Sequence, residues 1–350
     1  MIDLPTYSKL HPNSATFVFS KDPILQYDEY PSEIELDGAL GELDYILCPH
    51  SIQGFYLKEK HWVSLYVSNV EPVKWNKEAF DRLVLPPKTK ELIKALLVRT
   101  GERATDQIGL CGGKRQDLIA GKGTGLIVLL HGGPGTGKTL TAESVAELAE
   151  MPLYRVTCGD IGTEPEVVEA YLKRVLYFGK IWNCVLLIDE ADVFLEERGL
   201  QDLKRNSLVS IFLRILEYYN GILILTSNRV GTFDEAFRSR IQLALRYPDP
   251  DPPFRQKIWR NFFDMLESDE EDADMEELKE HLDELSDLDM NGREIRNALT
   301  TARQLALYKK KTLGWVHLSQ AVNAARDFNK YLSDVQGQTS KDWARELNLR

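Results

Sequence analysis

No apolar run in this chain approaches the ~18 residues that a membrane-spanning helix requires, so the sequence predicts no transmembrane segment. The N-terminus, Met1-Ile2-Asp3-Leu4-Pro5, lacks the basic and apolar regions of a signal peptide. Cysteine is scarce. Cys48, Cys111, Cys158 and Cys184 are widely spaced and form no C-x-x-C pair. They argue against a disulfide framework or a zinc site, and for free thiols in a reducing intracellular compartment, the cytoplasm or nucleus, with an organelle left open. The six histidines are scattered, with no H-E-x-x-H, which argues against a metal centre built on imidazole. Lone His131 reads as a strand-end packing residue. There is no internal repeat and no low-complexity linker. A basic stripe is also missing, which argues against sequence-independent nucleic-acid binding.

What is present begins with enough apolar residues, 43% of 350, for two or three real cores. The net charge of −11 is unevenly spread: between Asp264 and Asp289 stand fourteen acids and one base, Lys279, for a local charge of −13. That stretch reads as a solvated helix face or mobile loop, with a docking patch for a basic partner as the sharper alternative. Residues 1–86 look β-rich, with short β-branched or aromatic runs at 16–20, 45–47, 54–57 and 62–67 and a turn at Lys58-Glu59-Lys60. They carry no recognisable chemistry and read as a piece of a larger module. Residues 87–125 read as an amphipathic helix and linker. From 126 to 250 strands and helices alternate, the pattern of a parallel sheet covered on both faces. The proline-rich stretch Tyr247 to Pro253 ends that pattern, and 251–350 reads as helical with a C-terminal tail.

The densest signal is Gly132-Gly133-Pro134-Gly135-Thr136-Gly137-Lys138-Thr139, which fits G-x-x-x-x-G-K-[ST]. Glycines let the backbone turn tightly and approach phosphates without Cβ in the way. Lys138 is placed to reach the β- and γ-phosphates of ATP, and Thr139 to offer its hydroxyl to Mg²⁺. The context agrees. Leu126 to Leu130 is an apolar run of strand length, and a helix follows from Leu140, whose N-terminal dipole faces the phosphates. The set from Gly132 to Leu140 is therefore the predicted nucleotide-binding segment.

Four further strings bear on phosphate chemistry. Val185 to Ile188 is an apolar strand ending in Asp189-Glu190, a costly place for two carboxylates unless a cation meets them. Asp189 would hold Mg²⁺, usually through a water, and Glu190 would act as general base on the attacking water. Asp192 reads better as a helix cap. Ile224-Leu225-Thr226-Ser227-Asn228 is another buried strand ending in a polar side chain, and the Asn228 amide either reaches the catalytic water or caps the next turn. Phe237-Arg238-Ser239-Arg240-Ile241 puts two arginines at a helix-to-strand junction, where they either pair with nearby acids or serve a neighbouring subunit's site. Asn291 with Glu294 has the spacing of a capping box, and puts Arg293 in the first turn of a helix that buries Ile295, Leu299, Ala302 and Ala306.

With these five strings in order, residues 105–335 resemble an AAA ATPase, of the ring-forming AAA+ class. In detail, strings such as Leu140 to Ser144 and Asn291 to Thr300 resemble a fungal group of AAA proteins of unassigned role. The resemblance implies an α/β fold with a P-loop parallel sheet of order 5-1-4-3-2, a helical lid and hexameric assembly. It identifies Lys138 and Thr139 with Walker A, Asp189 and Glu190 with Walker B, and Asn228 with sensor 1. Arg240 matches an arginine finger supported by Arg238, and Arg293 matches a sensor 2 arginine. The spacing of Arg238 and Arg240 differs from the R-x-x-R of the membrane-fusion and proteasomal members. The segment Thr157 to Thr163 lacks the aromatic–apolar–glycine loop that grips a threaded polypeptide.

The sequence reading is thus an ATPase that remodels an unidentified protein partner. An ATP-switched scaffold or assembly chaperone with little turnover is the first alternative, opposed by the Asp189-Glu190 pair. A clamp-loader or helicase-like remodeller is the second, opposed by the missing basic stripe.

Overall fold

The computed structural model describes residues 1–12, 49–105, 125–162, 164–195, 202–229, 233, 235–268 and 272–336. The chain falls into two units, Met1–Lys74 and Trp75–Arg350. In the first, helix α1 (Leu4–Leu10) accompanies an antiparallel hairpin, β1 (Ser51–Tyr56) with β2 (His61–Tyr66). Asp3 caps α1 by accepting from the Thr6 N–H. Trp62 lies edge-on to both Tyr7 and Phe55, at 5.1 and 5.3 Å between ring centroids, and the three form an aromatic cluster. The turn joining the strands includes Lys58-Glu59-Lys60, as the sequence suggests, with Lys60 at φ +59°. The strands expected at 16–20 and 45–47 lie outside the described residues.

The second unit opens with α2 (Glu78–Asp81) and α3 (Pro87–Thr105), tied together by Lys94, which donates to the Asp81 carboxylate at 3.0 Å. Five parallel strands follow: β3 (Leu126–Gly132), β4 (Leu153–Thr157), β5 (Val185–Asp189), β6 (Ile222–Ser227) and β7 (Leu243–Tyr247). Their order in the sheet is β4-β5-β6-β3-β7, the predicted 5-1-4-3-2 when counted from β3. The connecting helices are α4 (Lys138–Leu148), α5 (Cys158–Ile161), α6 (Pro165–Ile181), α7 (Asp192–Leu195), α8 (Leu203–Glu217) and α9 (Glu235–Arg238).

β5 and β6 are buried along their whole length, as expected of strands covered on both faces. One face carries Val128, Leu130, Val185, Leu187 and Ile224, packed with Phe80, Ile93, Ala142 and Val145. Their alternates Leu129, Leu186, Ile188 and Leu225 are buried on the other face, where Gly179 of α6 comes so close to Leu186 that a Cβ would reach 2.8 Å from its Cδ1. Phe237 is fully buried near Phe212 and anchors the short α9, a side chain whose truncation would cost about 3–5 kcal/mol.

The lid comprises α10 (Pro252–Ser268), α11 (Met275–Glu280), α12 (Leu282–Asp287), α13 (Gly292–Lys309) and α14 (Trp315–Gln336). Trp259, Phe263, Leu278, Leu285, Ile295 and Leu318 make its core, and the predicted inward set Ile295, Leu299, Ala302 and Ala306 is buried. The periodicity from Met275 to Leu285 predicts one helix, but it breaks at His281, whose ring stacks on Trp315 at 3.9 Å. The described acids between Asp264 and Asp289 lie mostly on exposed faces of α10 to α12, with Leu278, Leu282 and Leu285 turned inward. Buried Arg255 ties the lid's first helix down, donating to the Ser286 and Pro250 carbonyls at 2.7 Å each. Among the described residues, no helix is long and apolar enough to cross a membrane.

Candidate functional site

Gly132 ends β3 against β7, and a Cβ there would overlap the Tyr247 backbone. Gly135 and Gly137 take φ of +72° and +99°, values that favour glycine. Gly137 immediately precedes α4, whose first turn carries neither an acidic residue nor a side-chain cap. Its leading N–H groups therefore face outward with the positive end of the helix dipole, the arrangement that receives an anion. A Cβ on Gly137 would meet nothing within 4 Å, so open space lies over the loop. Lys138 is buried, and its Nζ donates to the carbonyls of Gly132 and Gly133 at 2.9 and 2.6 Å. Thr136 braces the loop by donating to the Gly133 carbonyl, while Pro134 and Leu140 are exposed at its rim. Tyr247 fixes the far side through its hydroxyl on Thr141, at 2.7 Å; burial raises this phenol to about 12.

At the carboxyl ends of the neighbouring strands, Thr139 donates to Asp189 Oδ1 at 3.1 Å, across fifty residues of sequence. This hydroxyl and carboxylate are hard oxygen donors of the kind Mg²⁺ takes, together with phosphate and water oxygens. Among the described residues no group of three or more His, Cys, Asp or Glu could hold a metal ion. Asp189 is nearly buried, yet it is well supplied with donors. Thr226 Oγ1 donates at 2.5 Å to Oδ1, and Arg155 Nη2 at 2.6 Å to Oδ2. Glu190 is exposed beside it at φ +58°, and its N–H donates to Thr226 Oγ1 at 2.9 Å. Thr226 therefore holds both members of the acidic pair. Asp192, at the start of α7, accepts from the Ser227 hydroxyl.

Asn228 follows Ser227 directly and is half-buried at the same end of the sheet. The lid meets the loop at Gly135, whose carbonyl accepts from the Gly292 N–H at 3.0 Å and whose Cα faces Asn291. The predicted capping box is present, with Asn291 accepting from the Arg293 and Glu294 N–H groups and Glu294 accepting from the Asn291 N–H. Arg293 is exposed in the first turn. Arg296, two positions beyond the capping box, acts electrostatically on Glu143 of α4. That carboxyl is pushed up by partial burial, held down by Arg155, pushed up by Asp189 and held down by Arg296. His131 is pushed down by burial and by nearby Arg246 and Lys138, and its ring packs edge-on to Phe233.

Arg238 and Arg240 stand apart from this cluster. Arg238 is exposed. Arg240 donates to the Ala236 carbonyl at 2.8 Å and pairs with Glu217 at 3.4 Å. Sequence reasoning brought in Lys138, Thr139, Asp189 and Glu190 but passed over Thr226, Arg155, Glu143 and Arg296. The one available signal was Thr226 and Ser227, polar residues ending an otherwise apolar run. Nothing local marks Arg155.

Residues 128–249 match the family model described as "ATPase family associated with various cellular activities (AAA)", and residues 251–339 match "Fungal AAA+ ATPase lid domain". Among curated relatives, the chain is similar to ATPase family AAA domain-containing protein 3 of Xenopus tropicalis. The two are 30% identical over 193 residues, covering 53% of this chain and 30% of that protein. The Drosophila melanogaster homolog of the 3A protein is 26% identical over the same length and shares of each chain. The human 3A protein is 29% identical over 143 residues, 39% of this chain and 24% of its own. The chain thus aligns with about a third or less of these relatives' length. Two adjoining family matches, laid over a five-stranded parallel sheet whose phosphate-loop glycines touch the start of the lid, show that the chain belongs to the AAA ATPase family and carries the fungal form of its lid.

Proposed function

We propose that this protein binds ATP with Mg²⁺ and hydrolyses it to ADP and phosphate, using the cycle to remodel a protein partner. The observation that carries the reading is the Thr139 hydroxyl resting on the Asp189 carboxylate beneath an uncapped helix start. The loop from Gly132 to Leu140 wraps the phosphates, with Lys138 released from the Gly132 and Gly133 carbonyls to reach the β- and γ-oxygens. Thr139 and Asp189 would hold Mg²⁺, which when bound neutralises phosphate charge.

Glu190 accepts a proton from water as its oxygen attacks the γ-phosphorus and the bond to the β–γ bridging oxygen breaks. Asn228 orients that water. Arg293 on the lid senses the γ-phosphate, so its loss on hydrolysis shifts the lid. Arg240, supported by Arg238, acts on the site of a neighbouring subunit in a ring, a hexamer in this family. Membership of the AAA family, whose members are typically oligomeric, supports the assembly.

Glu190→Gln tests the chemistry. It should retain Mg²⁺-dependent ATP binding and lose about 10²–10⁴-fold in turnover, the contribution of a positioned base. Phosphate release at the wild-type rate would assign Glu190 a structural part only and leave activation of the water to another group.

A further inference from the structure

Arg155 belongs to none of the strings that define the nucleotide site, yet it makes the shortest ion pair with the central carboxylate. It projects from the exposed position at the middle of β4, where its backbone is in register with Leu187, two residues before Asp189. The long side chain runs forward to the strand ends, and Nη2 reaches Asp189 Oδ2 at 2.6 Å. The two partners differ in surroundings: the Asp189 side chain is 9% exposed and that of Arg155 is 49% exposed. A half-exposed guanidinium can leave and recover hydration cheaply, while the carboxylate, held on Oδ1 by Thr226 and Thr139, stays in place.

We propose that Arg155 is a positioning residue that competes with Mg²⁺ for the Asp189 carboxylate, and thereby sets the Mg²⁺ concentration at which the site loads. The proposal rests on the reading of the loop as a Mg²⁺–ATP site. The guanidinium lies on the oxygen farther from Thr139, at 3.3 Å against 3.1 Å. A divalent ion arriving beside Thr139 therefore meets a like charge across a single carboxylate, and either displaces it or binds against its repulsion. An acceptor for the displaced side chain stands nearby. Glu143 of α4 already feels both Arg155 and Asp189. Arg296 of the lid also acts electrostatically on that carboxylate, so Arg155 moving toward Glu143 would change the field that the lid's Arg296 meets.

The test uses the full chain, a fluorescent non-hydrolysable ATP analogue at fixed concentration and a Mg²⁺ titration, with a parallel nucleotide titration in EDTA. Arg155→Gln and Arg155→Met should lower the half-saturating Mg²⁺ about tenfold, the size expected from removing one water-screened charge a few ångströms from the ion. Binding in EDTA should change by less than about twofold, and Arg155→Lys, which keeps the charge, should stay near wild type. An unchanged or increased Mg²⁺ requirement in the neutral variants overturns the proposal. So does failure of both neutral variants to fold while Arg155→Lys folds, since Arg155 would then be a structural counter-charge. Absence of Mg²⁺-dependent analogue binding in the wild type would sink the nucleotide reading itself, and is distinguishable from either result.

Discussion

Removing the Thr226 hydroxyl should damage stability and chemistry together, because that one group holds both acids of the site. Thr226 is 2% exposed, donates to Asp189 Oδ1 and accepts from the Glu190 N–H. Thr226→Val keeps the β-branched shape and the strand, so the change isolates the two hydrogen bonds. The bond to a charged carboxylate is worth about 1.5–3 kcal/mol, and stranding the Glu190 N–H adds about 1 kcal/mol because water can reach exposed Glu190. The expected loss is about 2–4 kcal/mol. Thr226→Ser keeps the hydroxyl and loses one methyl, and should stay within about 1 kcal/mol of the wild type. Glu190 sits at φ +58°, a conformation that persists only when neighbours fix it. Turnover in the valine variant should therefore fall at least about tenfold, as a base moved out of line loses its share of the ~10²–10⁴-fold acid–base contribution. The urea midpoint and a phosphate-release assay read the two effects. A valine variant with wild-type midpoint and turnover would refute the role given to Thr226.

Two other outcomes follow from the geometry. Gly135→Ala places a Cβ at φ +72° and against Asn291 Oδ1, which caps α13. Strain of about 1–2 kcal/mol plus a damaged cap worth ~1 kcal/mol should lower the melting temperature and weaken nucleotide binding, and wild-type values for both would show that lid and loop are independent. Arg240→Ala should bind ATP yet hydrolyse poorly, and mixing it with Glu190→Gln should restore measurable turnover at interfaces that keep Glu190 on one side and Arg240 on the other. No recovery, with subunit exchange verified, would leave Arg240 as the partner of Glu217 within its own chain.

The strands and the helices of the lid were legible because their signals are local, whereas the strand order came only from the family resemblance. An apolar run before Gly132 can only be a strand feeding that loop, and Asn291 with Glu294 fixes where α13 begins. The pairs that complete the site were not legible. Thr226 and Arg155 lie 37 and 34 residues from Asp189, and meet it only because β5 lies between β4 and β6. An arginine between Tyr154 and Val156 looks like any solvent-facing strand residue until the neighbouring strand is known. The break at His281 was hidden for a different reason: Leu278, Leu282 and Leu285 keep helical phase through it, and the stack on Trp315 that accompanies it is a tertiary contact. Short helices such as α5 and α9 span a single turn and leave no periodicity to read.

The central claim is that the loop from Gly132 to Thr139 holds Mg²⁺–ATP, and buried Lys138 bears on it most directly. Lys138 is the side-chain cation of that loop, held on two loop carbonyls that it must leave for phosphate. The direct measurement is a titration of the wild-type and Lys138→Ala chains with a fluorescent ATP analogue, with Mg²⁺ and with EDTA. The wild type should bind more tightly with Mg²⁺, and Lys138→Ala should lose at least about tenfold in affinity, the loss of charge-assisted bonds to phosphate. Equal affinity in the two chains would contradict the account.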